Sequence, residues 1–111
     1  MAASGKGAER RAAWWYRLRG YRVLAANAWV GGYELDLVVR RGRRIVFCEV
    51  KSKGGTGFGA AAEMVDAEKQ RRICQAAAAW LAGHPEHGGL QVSFDVIAVH
   101  EGRLVRLAEA F

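Results

Sequence analysis

Residues 32–53 read GYELDLVVRRGRRIVFCEVKSK, and the order of apolar and charged positions in this stretch decides the fold. From Tyr33 to Arg40 the residues alternate. Leu35, Leu37 and Val39 point one way, and Glu34, Asp36 and Val38 point the other. A period of two is the mark of a strand. Gly42 among arginines makes a turn. Arg44 to Lys53 then repeats the pattern, with Val46, Cys48 and Val50 on one face and Phe47, Glu49 and Lys51 on the opposite one. Two such runs joined by a short turn predict a hairpin.

Working outward, Gly7 to Arg19 has a helical period, with Ala8, Ala12, Trp15 and Leu18 as its apolar stripe and Gly20 as its stop. Residues 1–6 are small and polar and are expected to fray. Tyr21 to Val30 reads as a strand closed by a Gly31-Gly32 turn. On the other side, Gly54 to Ala62 (GGTGFGAAA) reads as a glycine-rich loop. A helix is predicted over Ala62 to Ala82, with Ile73, Ala76, Ala77, Trp80 and Leu81 as its stripe. GHPEHGG at 83–89 ends it. Leu90 to His100 and Arg103 to Leu107 read as two more strands around an Glu101-Gly102 turn. The predicted order is α-β-β-β-α-β-β in one domain spanning residues 1–111, an α/β class.

Composition fits a soluble globular domain: 51% of the 111 residues are apolar and 25% are charged. No apolar run approaches a membrane span, and MAASGKGAERRAAWW does not read as a secretory signal, so the expectation is a cytoplasmic protein with no membrane partner. Cys48 and Cys74 lie in apolar runs without metal-binding spacing and are expected to be reduced and buried. Lys and Arg number 17 against 11 Asp and Glu, a net charge of +6. Such a surface concentrates polyanions, nucleic acid above all. The basic residues form three groups: Arg10, Arg11, Arg17, Arg19 and Arg22; Arg40, Arg41, Arg43 and Arg44; and Lys51, Lys53, Lys69, Arg71 and Arg72. In sequence they bracket the acidic residues of the hairpin.

Those acidic residues are the oddity. Glu34 and Asp36 share a face of one strand, and Glu49 and Lys51 share a face of its neighbour. Charges within apolar strands cost free energy unless they pair or bind something. Paired strands lie about 5 Å apart, which makes Asp36 and Glu49 near neighbours. Two carboxylates so placed repel unless a proton or cation lies between them, and their oxygens suit a hard ion such as Mg2+ or Mn2+. Lys51 projects from the same face as Glu49, where an ammonium can stabilise charge on a phosphate. The plainer alternative is an ordinary salt bridge between Lys51 and one carboxylate.

The stretch GYELDLVVRRGRRIVFCEVKSK resembles the core of the PD-(D/E)XK nuclease superfamily, which includes archaeal Holliday-junction resolvases and many restriction enzymes. The whole chain is similar to the YraN-like family, an uncharacterised group usually classed as predicted endonucleases. The similarity runs through GAERRAAWWYRLRGYRVLAAN (7–27), YELDLVV (33–39), VFCEVKSK (46–53), FG (58–59), EKQRRICQAAAAWL (68–81) and FDVIAV (94–99). It implies a restriction-endonuclease-like αβββαβ core, a mixed sheet flanked by helices, with a site at one end of the sheet. It implies metal-dependent phosphodiester hydrolysis, with Asp36 and Glu49 as acidic metal ligands aided by the Val50 carbonyl, and Lys51 as the catalytic lysine. Glu9 matches the glutamate that a first helix often adds. Glu34 belongs to the family's G-E-x-D-L segment, in which Tyr33 stands where glycine is usual, a departure that would crowd the site. Lys69 and Gln70 match a substrate-contacting helix start, and Glu34 and Lys53 join them as candidate substrate contacts. DNA, branched or single-stranded, is the implied partner, and a homodimer would suit symmetric junctions. The rival reading is a non-catalytic nucleic-acid-binding module of the same fold; a purely structural role has no specific support.

Other signals weigh less. Gly55 to Ala60 fits GxGxxA, but the chain is too short for a dinucleotide fold. His84 and His87 sit in a Pro/Gly-rich stretch that reads as exposed loop rather than metal site. Of Trp14, Trp15 and Tyr16, Trp15 is expected to pack and Trp14 to be exposed, where it could stack on a base. Trp80 reads as core. Asp95 reads as structural, paired with an arginine, and Glu63, Asp66 and Glu68 as an acidic first helical turn.

Overall fold

The computed structural model describes residues 2–52 and 65–111, of residues 2–6 the backbone alone. The elements are α1 (Ala2–Arg17), β1 (Arg22–Val30), β2 (Tyr33–Arg41), β3 (Arg44–Ser52), α2 (Ala67–Ala82), a 3-10 turn (Pro85–His87), β4 (Gln91–His100) and β5 (Arg103–Leu107). The order is the one predicted. The five strands form one mixed sheet in the order β1-β2-β3-β4-β5. All neighbours are antiparallel except β3 and β4, which are parallel. Parallel neighbours need a crossover, and α2 lies in that connection. No described helix is long and apolar enough to cross a membrane.

The helices cover opposite faces. Ala12, Ala13 and Tyr16 of α1 pack on Leu37, Val39, Val46, Cys48 and Ile97. Ile73, Ala76, Ala77 and Trp80 of α2 pack on Leu35, Val38, Ile45, Phe47 and Val96. This double cover explains why β2 and β3 are apolar on both faces through Val38-Val39 and Ile45-Val46-Phe47.

Five expectations need correction. Leu18 is 76% exposed while Tyr16 is fully buried. The α1 stripe follows Ala8, Ala12 and Tyr16 at steps of four, and Leu18 falls off it, past the end of the helix. The helix also extends back to Ala2, ahead of Gly7. Cys74 is exposed, since it lies off the Ile73–Ala77–Trp80 stripe. The second helix begins at Ala67, where the Asp66 carboxylate accepts the Lys69 N–H at 2.9 Å and caps it; residues 62–64 lie outside the described part. Finally, Leu35 and Leu37 do not share a face. They pack under different helices although two residues apart.

That last departure has a backbone cause. The β1–β2 ladder pairs Ala26 with Leu37 and Ala28 with Leu35, which brackets Asn27 opposite Asp36. Asn27 holds φ +55, the left-handed region that asparagine tolerates better than most residues. On the other side, the β2–β3 ladder runs from Arg41↔Arg44 to Leu37↔Cys48 and goes no further. The sheet therefore opens where Asp36 sits.

Candidate functional site

Where β2 leaves β3, the Asp36 side chain takes over from its main chain. Its Oδ2 accepts the N–H of Val50 at 2.9 Å. Beside it on β3, Glu49 is only 7% exposed. Lys51 Nζ lies 3.4 Å from Glu49 Oε2, and the Tyr33 hydroxyl donates to the same oxygen at 3.4 Å. Tyr33, the residue expected to crowd the site, is thus part of it. From the first turns of α2, Lys69 faces Lys51 and the Glu49 carboxylate.

Electrostatics follow from this crowding. Burial, and then the Glu49 charge, push the Asp36 carboxyl up to about 7, with Glu9 adding to the rise and the Val50 N–H and Lys51 opposing it. Burial raises Glu49 as well, against the pull of Lys51, Lys69 and the Tyr33 hydroxyl. Lys69 is lowered, first by its contact with Lys51 and then by burial. Tyr33 is raised by burial and by the two carboxylates. Each group is thus held by the others, as in sites built for charge rather than for packing. Among the described residues no three His, Cys, Asp or Glu side chains converge into a group able to hold a metal ion. Asp36 and Glu49 are two such donors, and Glu9, on α1, is near enough to act on Asp36 through charge.

A family model described as uncharacterised protein family UPF0102 matches residues 8–99, a span that holds Glu9, Asp36, Glu49, Lys51 and Lys69. The chain belongs to UPF0102. It is 42% identical over 109 residues to a UPF0102 protein of Bordetella avium, covering 98% of this chain and 74% of that one. It is 44% identical over 108 residues to one of Methylobacterium nodulans, covering 96% and 82%. A third, from Nitrobacter winogradskyi, is 40% identical over 103 residues, covering 93% and 86%.

The other sequence-predicted residues of this UPF0102 chain fare unequally. Glu34 is exposed and lines a shallow depression of about 340 Å3 with Trp29, Gly32, Tyr33, Asp36 and Arg72. Gln70 donates its amide to the Val65 carbonyl at 3.0 Å, which ties the start of α2 to the segment before it. Lys53 and the glycine-rich loop lie outside the described residues. The arginines of the β2–β3 turn do not bracket the carboxylates in space. Arg41 and Arg44 sit five residues from Asp36 and Glu49, about 17 Å along the strands. They hold the far end together: Arg41 donates to the Arg19 carbonyl at 2.8 Å and Arg44 to Ser93 Oγ at 3.1 Å.

Trp29 and Arg72 were missed. Trp29 is 73% exposed and pairs with Glu34 across the ladder, a placement visible only once the register is known. Arg72 lies one turn beyond Lys69, a spacing that could have placed it on the same helix face. The histidines are not simply exposed. His84 stacks on Trp80 at 3.9 Å, and His87 Nδ1 lies 2.9 Å from Arg40. Asp95 is structural as expected, and its arginine is Arg106, at 2.8 Å.

Proposed function

We propose that this chain is a metal-dependent nuclease of the PD-(D/E)XK kind that hydrolyses phosphodiester bonds in DNA. One observation carries the reading: two mutually repelling carboxylates, the half-buried Asp36 and the buried Glu49, meet where the sheet opens, with Lys51 3.4 Å from Glu49. Their hard oxygens fit Mg2+ or Mn2+, and the Val50 carbonyl would join them. Ions of this kind keep several waters, so two carboxylates suffice. When bound, the ion supplies Lewis-acid charge against the phosphoryl group.

The protein's own residues do the rest. The Lys51 and Lys69 ammoniums place positive charge where charge grows on the phosphate. Tyr33 holds Glu49 in one orientation. Glu9 strengthens the negative field at Asp36. The net charge of +6 draws the polyanion in.

A second reading, a binding module without catalysis, is favoured by the way Lys51 and Tyr33 already satisfy Glu49. A Mn2+ titration followed by electron paramagnetic resonance separates the two. The nuclease reading expects saturable binding that is lost in Asp36→Ala. Binding of Mn2+ that ignores Asp36→Ala, or no binding beside a salt-dependent DNA affinity, favours the module.

A further inference from the structure

A second feature adjoins the site. Between α1 and β1, the edge strand of the sheet, runs a groove of about 360 Å3 lined by Glu9, Arg10 and Arg17 on one wall and Val23 and Asn27 on the other. Its two walls match in length. Glu9 to Arg17 is about 12 Å of helix, and Val23 to Asn27 is about 13 Å of strand. One end reaches Asn27, which the ladder sets opposite Asp36. The other end reaches Arg17.

Beside the groove, α1 carries a pattern suited to one ligand class. Arg10, Trp14 and Arg17 fall at i, i+4 and i+7, so they line up along one face of α1. All three are exposed, Trp14 at 55%. The Arg17 guanidinium lies 5.4 Å from the centre of the Trp14 ring. An exposed indole between two arginines offers a stacking platform flanked by phosphate contacts, as single-strand binders use. The bases of a double helix, already stacked, would not use Trp14.

We infer that the α1/β1 groove is a track for single-stranded nucleic acid, with a base on Trp14, phosphates on Arg10 and Arg17, and the strand led past Glu9 toward Asp36. The track rests on the nuclease reading for its direction, and the test keeps the two apart. A fluorescent oligothymidylate is titrated against the whole protein with chelator present, so that binding alone is read. Trp14→Ala weakens affinity by about tenfold or more, and Trp14→Phe keeps most of it. In Arg10→Gln/Arg17→Gln, the slope of log affinity against log salt falls by about 1.4, roughly 0.7 per lost phosphate contact. Arg103→Gln, on the far edge strand β5, leaves the Trp14 dependence in place. Circular dichroism checks that the variants fold. An oligouridylate arm tells DNA from RNA, and stacking through Trp14 on either supports the track.

Equal binding by Trp14→Ala and the parent overturns the inference. So does a duplex bound as tightly and with the same Trp14 dependence, or polyglutamate displacing the strand at equal charge, which would point to an acidic protein partner. If the groove variants bind weakly as described but Mn2+ brings no cleavage, the nuclease reading fails and the track stands. If cleavage is strong and indifferent to Trp14, Arg10 and Arg17, the track fails and the nuclease stands.

Discussion

Asp36 is under electrostatic tension in the site. Its carboxyl is moved from an ordinary value of 3.8 to about 7 by burial and by Glu49. The folded state therefore holds a proton that the unfolded state has released. The stabilisation from that proton is full below about pH 4 and is lost as the pH rises through about 7. Metal-free protein is predicted to lose stability across that window. Asp36→Asn keeps an acceptor for the Val50 N–H and removes the charge, so it should exceed the parent above pH 7, by on the order of 2–4 kcal/mol. Urea unfolding at several pH values reads this. A parent curve flat in pH would show that the two carboxylates are not in tension. This part of the site was legible in sequence, because strand parity alone puts Asp36, Glu49 and Lys51 within reach. Tyr33 was read only as a departure from a family pattern. Its hydrogen bond to Glu49 depends on where the chain bends, which no spacing reveals.

Element boundaries follow local chemistry, and there the sequence was a good guide. The hairpin and the β4–β5 pair sit within a residue or two of expectation, since each is bounded by glycine, while the crossover helix ends at Ala82 as expected but starts at Ala67, where Asp66 caps it. What escaped was the irregularity within strands. Asn27 in the left-handed region turns β1 and β2 together, so Leu35 serves the α2 face and Asp36 stands free of the β3 ladder. Strict alternation cannot register such a twist. The β1–β2 turn shows how tightly the site end is held to α2. Gly31 has φ +62, and a Cβ there would lie 3.4 Å from Ala76 Cα and Ala79 Cβ. Gly31→Val should cost about 1–3 kcal/mol from backbone strain alone, with further loss from displacing α2. Thermal unfolding measures it. An unchanged melting temperature would mean that this turn does not anchor the helix.

At the scale of the molecule, one buried charge ties the layers together. Asp95, fully buried on β4, accepts from the Tyr16 hydroxyl of α1 at 2.6 Å, from Arg106 Nε of β5 at 2.8 Å and from the Glu109 N–H at 3.1 Å. These bonds hold α1, and so Glu9 and the groove, against the sheet. Arg106→Met strands the carboxylate and should cost about 3 kcal/mol, read by denaturant unfolding, and a neutral result would assign the anchoring to apolar packing instead. The sequence marked Asp95 as structural and gave it an unnamed arginine. It did not single out Tyr16, because the helical stripe was drawn through Trp15 and Leu18. The site stands at the end of this braced sheet. Purified protein with Mn2+ should cut at least one of a panel of labelled single-stranded, duplex, flap and four-way-junction DNAs, and Lys51→Ala should abolish the cutting. Cleavage that persists undiminished in Lys51→Ala, or none on any substrate while binding stays intact, would contradict the nuclease reading.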